Sequence, residues 1–135
     1  MKLFTSDNKN TVNIGNKGVW DALYLTAVTC LSEDDKDFLQ FAMDFFKTGE
    51  CVNDDAQITA RQMELVKKRF LKVVPTDAAF EHVACYCDTL RSNRKNETVD
   101  SYANFFKTAD GSDLLDEVIG LLKYADKSRV DVLVE

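Results

Sequence analysis

Four cysteines, one histidine and 23 acidic side chains are the residues of this 135-residue sequence able to do chemistry. His82 and Cys85 stand three apart, a spacing that puts both on one face of a helix. Cys87 points elsewhere, because two helical residues subtend about 200°. A zinc site needs four ligands, or three and an open position. Here the remaining thiols, Cys30 and Cys51, would have to come from separate elements, without paired spacing. As a general base His82 would need a nucleophile or acid partner, and neither a Cys–His nor a Ser–His–Asp signature accompanies it. The five glycines form no phosphate-cradling loop. Asp110-Gly111-Ser112-Asp113 places its glycine second, whereas a calcium loop needs it sixth. The sequence therefore predicts no catalytic residue, no metal site and no cofactor: a binder and not an enzyme.

Charge is the stronger signal. The net charge is −6, and residues 1–50 and 110–135 carry most of it, at −3 and −4, while residues 51–74 stand at +2. Such a chain repels nucleic acid and anionic membranes and attracts basic partners. Glu33, Asp34, Asp35 and Asp37 are the first candidates for partner binding, since a solvent-facing helix start presents several carboxylates together. Asp54 and Asp55 are the second, read as part of a loop able to insert into a cleft. Asp110, Asp113, Asp116 and Glu117 form a third acidic set. Lys67, Lys68, Arg69 and Lys72, with Arg61 before them, make the one basic cluster. No aromatic or glycine-rich recognition motif accompanies it, so it reads as a solvated helix face.

The elements that must position these residues are mostly helices. Residues 2–5 and 11–14 alternate in polarity around the turn cluster 6–10, which predicts a small hairpin. A first helix is expected over 19–31. Ser32 caps a second that carries Phe38, Phe41, Ala42, Phe45 and Phe46 toward a stop at Gly49, with phenylalanines buried on more than one side. Thr59 is expected to cap a third helix over 60–74, with Met63, Val66, Phe70 and Val73 inward and Pro75 ending it. A fourth starts at Thr76 or Asp77 and runs to about residue 91, with Phe80, Val83, Cys87 and Leu90 inward. Residues 92–96 read as a polar loop. A fifth helix holds Val99, Tyr102, Ala103 and Phe106. Ser112 caps a sixth, with Leu115, Val118, Ile119 and Leu122. Residues 130–134 have strand propensity and suit pairing with the N-terminal run. The fold class expected is mainly α: one domain over 1–135, a compact bundle of about six helices with a minor β element from the hairpin and the C-terminal segment. Residues 1–7 lack the apolar run of a signal peptide, and no stretch approaches about 20 apolar residues. A cytoplasmic protein with reduced cysteines is expected.

A small, acidic, helical chain without an active site resembles the immunity proteins of bacterial toxin–immunity pairs, those of contact-dependent growth inhibition included. The resemblance is one of type over the whole chain. The stretch from Gly49 through Asp54-Asp55 to Thr59-Ala60, leading into residues 61–70 and preceded by Phe45-Phe46, is similar to a loop-plus-capped-helix segment of some helical immunity families. What the resemblance implies is inhibition by occlusion: a cognate toxin domain, basic and most often a nuclease, is bound and its active site covered. The alternative is a helical adaptor or regulatory interaction domain.

Overall fold

A computed structural model describes residues 1–76 and 101–135 of the chain. Strand β1 (Lys2–Thr5) lies between β2 (Thr11–Asn13) and β3 (Val132–Val134) in an antiparallel sheet of order β2-β1-β3. Leu3 is the partner of Val12 on one side and of Val134 on the other. Alternation sends Leu3, Thr5, Val12 and Val132 into the core and leaves Lys2 and Thr11 outside. The hairpin turns at Asn8, which takes a left-handed conformation at φ 59°. The Asp7 carboxylate accepts from the hydroxyls of Thr5 (2.6 Å) and Tyr124 (2.8 Å) and from the Lys9 N–H (3.1 Å). These donors, the Thr5 hydroxyl foremost, hold the Asp7 carboxyl below its ordinary range. The expected hairpin and its pairing with the C-terminal segment are both present.

Five helices are found among the described residues: α1 (Lys17–Cys30), α2 (Glu33–Phe38), α3 (Gln40–Thr48), α4 (Asn53–Phe70) and α5 (Leu114–Ser128). Asn16 caps α1 through its side chain, Ser32 caps α2 through the Asp35 N–H, and Gly49 ends α3 at φ 75°. Helix α4 is the spine, packed on α5 and α3. Ala56, Ala60, Met63, Val66 and Phe70 recur at helical spacing along it and are all buried. Leu114, Leu115, Val118, Ile119 and Leu122 of α5 face them. Trp20 of α1 meets Phe45 edge-on at 5.6 Å, and Phe70 lies tilted against Tyr102 at 6.1 Å, whose ring in turn meets Phe105 and Phe106. No helix among the described residues is long and apolar enough to cross a membrane.

The structure corrects four expectations. The second helix is two, because Leu39 leaves helical geometry (φ −102°, ψ 38°) to bury its own side chain. That turn brings Phe45 and Phe46 inward and leaves Phe38 72% and Phe41 38% exposed. The third helix starts at Asn53, not at residue 60. Asp54 and Asp55 therefore stand in its first turn, where the helix dipole favours them, and Thr59 lies buried inside it with its hydroxyl donating to the Asp55 carbonyl (2.7 Å). It stops at Phe70, before Pro75. Residues 101–106 form bends and turns instead of a helix, with the Tyr102 N–H donating to the Val73 carbonyl (3.0 Å). The last helix begins after Asp113, not Ser112. The expected fourth helix with Phe80, Val83, Cys87 and Leu90, the His82–Cys85 pair, the loop 92–96 and Val99 lie outside the described residues.

The break at Leu39 is healed from another helix. Leu39 has no side-chain acceptor for the start of α3. The buried Gln62 of α4 supplies one: its Oε1 accepts from the Ala42 N–H (3.0 Å), and its Nε2 donates to the Phe38 carbonyl (3.3 Å). Gln62→Leu should cost about 1–3 kcal/mol in urea unfolding, the penalty for stranding buried backbone groups. Phe70→Ala should cost about 3–5 kcal/mol, as large-to-small changes in a closed core do. A loss below about 1 kcal/mol would place Phe70 outside the core.

Candidate functional site

The α3–α4 hairpin and the chain entering β3 enclose a groove of about 340 Å³. Helix α3 contributes Phe41, Asp44, Phe45 and Thr48, all on one side because they recur three and four residues apart. The short connector gives Glu50, Cys51 and Val52, helix α4 gives Asp55 and Thr59, and the third wall is Asp131, Val132 and Leu133.

The connector is tied to the sheet by a reciprocal backbone pair. The Cys51 N–H donates to the Val132 carbonyl (3.0 Å), and the Val132 N–H donates to the Cys51 carbonyl (2.8 Å). Val52, at the N-cap of α4, has no side-chain acceptor. Asp131 replaces it: its Oδ1 accepts from the Asn53 N–H (2.9 Å). The Asn53 side chain in turn donates to the Arg129 carbonyl (3.1 Å). One carboxylate thus caps a helix and faces the groove.

Four carboxylates, Asp44, Glu50, Asp55 and Asp131, converge here, and none is in an ion pair among the described residues. Asp44 accepts only from the Gln40 amide among side chains (2.9 Å). Between them lies apolar surface: Val52 is 57% exposed, and Phe41 and Leu133 are partly open. A wall of uncompensated negative charge beside exposed apolar side chains suits a cationic segment with an aliphatic or aromatic body.

The groove is poorly equipped for covalent chemistry. Burial pushes the Cys51 thiol above its ordinary pKa; the Asp55 and Asp131 charges add to the rise, against the Thr59 hydroxyl, which lowers it. Cys51 makes weak contacts with Thr59 Oγ1 (3.5 Å) and the Val52 carbonyl (3.4 Å), and burial with the two carboxylate charges disfavours the reactive thiolate. Cys30 and Cys51 are free thiols. Among the described residues no group of three His, Cys, Asp or Glu side chains is placed to hold a metal ion.

The sequence-predicted residues divide. Asp55 lines the groove, while Asp54 is exposed on the outer side of the same turn. Glu33, Asp34 and Asp37 are exposed at the start of α2 and Asp35 is half-buried. Two of the four are compensated: Glu33 by Lys36 (2.7 Å) and Asp35 by Arg69 (3.2 Å). Asp34 and Asp37 keep free charge among the described residues. Two of the four in the third acidic set are likewise compensated, Asp113 by Lys107 and Asp116 by Lys67. Sequence reasoning missed Asp44, Glu50 and Asp131, which lie far apart in the chain and meet only through the hairpin and the sheet.

Asp131→Ala should cost about 1 kcal/mol of stability, the usual size of a lost N-cap. Asp131→Asn keeps an acceptor and should recover most of that in thermal unfolding. Comparison with protein-family models, curated proteins and solved structures returned no match to this chain, so its functional reading rests on the groove itself.

Proposed function

We propose that this chain is a non-enzymatic binding protein that takes a cationic segment of a partner protein into the acidic groove. In its sharpest form it is an immunity protein: it binds a basic cognate toxin domain, a nuclease by class, in the cytoplasm and covers its active site. The observation that carries the reading is the convergence of Asp44, Glu50, Asp55 and Asp131, without counter-charge among the described residues, on a wall of exposed apolar side chains. Asp34 and Asp37, on the helix preceding α3, extend the negative field outward. Complementary charge of this kind speeds encounter, and a basic side chain entering the groove meets carboxylates that no cation among the described residues offsets.

An adaptor would use the same groove, so the two readings part on outcome. Coexpression with the product of the neighbouring reading frame should abolish that product's toxicity and yield a stable complex; a complex without protection points to the adaptor. Asp44→Lys combined with Asp55→Lys should lower the association rate by about tenfold or more at low salt and flatten its salt dependence. Surface-immobilised binding at two salt concentrations checks this. Unchanged association and unchanged protection would dismiss the groove as the binding site.

A further inference from the structure

The outward face of α4 breaks the rule for a surface helix, whose solvent side is polar. Ile58 and Leu65, seven apart, are 41% and 37% exposed. Arg61 and Lys68 alternate with them, so the four follow one another at intervals of three, four and three residues. That spacing forms a straight seam about 15 Å long.

Charge along α4 is divided in the same way. Lys67 and Arg69 each hold a carboxylate, Asp116 and Asp35 respectively. Arg61 and Lys68, on the seam, hold none among the described residues, although the chain is acidic overall. A solvated basic face accounts for the two cations but not for exposed Ile58 and Leu65 between them. A polyanion such as nucleic acid answers only the cations as well.

We propose that the seam Ile58–Arg61–Leu65–Lys68 docks an acidic amphipathic helix of a partner protein. Aliphatic side chains of that helix pack against Ile58 and Leu65, and its carboxylates pair with Arg61 and Lys68. Asp54, one turn before Ile58 on the same line, opposes a carboxylate at that end and so sets the direction of the incoming helix. The surface is separate from the groove and stands without it.

The test is selection from a displayed library of helical peptides with one face randomised, using the full chain as bait. Enriched peptides should carry Asp or Glu together with Leu or Ile at helical spacing. A synthesised winner should lose about tenfold or more in affinity on Arg61→Glu/Lys68→Glu and also weaken on Leu65→Ser. It should keep its affinity on Asp44→Lys/Asp55→Lys, which separates this surface from the groove. Arg61, Leu65, Lys68 and Asp44 are exposed and Asp55 is half-buried, and circular dichroism verifies that the variants are folded. Enrichment without acidic residues, equal binding to the Arg61/Lys68 variant, or tighter binding of a labelled nucleic-acid duplex through the same two residues would each overturn the proposal.

Discussion

A single carboxylate, that of Asp131, ties the start of helix α4 to the chain entering β3. Helix α4 begins at a residue with no capping side chain, and its first N–H groups need acceptors. Asp131 meets the Asn53 N–H from 78 positions away, beside the reciprocal Cys51–Val132 backbone pair. Those bonds join the α3–α4 hairpin to the edge of the sheet. They set the position of α4, on which α3 and α5 pack, and they close the third wall of the groove. Gln62 does comparable work for α3 from the middle of α4. In both cases a helix start is specified by tertiary contact and not by its own sequence.

This arrangement decides which acidic residues are left to bind. Acidic side chains on α2 and at the start of α5 are partly neutralised, Glu33 by Lys36 of its own helix and Asp35, Asp113 and Asp116 by Arg69, Lys107 and Lys67. The groove collects acids from α3, the connector, α4 and the segment before β3, and no described cation lines it to match. Asp131 serves structure and field at once: Asp131→Ala removes charge and cap together, whereas Asp131→Asn removes the charge and keeps an acceptor for the Asn53 N–H. Asp44 and Glu50 carry no such double duty.

Local features were legible in the sequence where one residue's chemistry sufficed. Ser32 caps, Gly49 stops, and the Met63–Val66–Phe70 face is buried because each depends on nearest neighbours along the chain. The hairpin was legible from alternation, and the β propensity of residues 132–134 was enough to pair them with it. Boundaries set by remote side chains were not. Asn53-Asp54-Asp55 reads as a loop until Asp131 is seen to cap it, and the phenylalanines of residues 38–46 read as one helix until Gln62 is seen to bridge the break. Of the site, Asp55 was legible as a candidate; its neighbours were not, because Asp44, Glu50 and Asp131 share no sequence window. The α2 cluster was chosen on composition, which does not reveal that Lys36 and Arg69 answer two of its four charges.

The long reach of the Asp131 cap also gives the protein a sense of time. During synthesis, α3 and α4 emerge well before residues 131–134, so α4 waits with its N-terminus unanswered and β1 with one edge open. The groove does not exist for a ribosome-bound chain shorter than this. Its third wall arrives only when β3 docks on β1 and Cys51. A chain lacking residues 131–134 keeps Asp44, Glu50 and Asp55 on the α3–α4 hairpin, but without the wall that turns their shared surface into a groove.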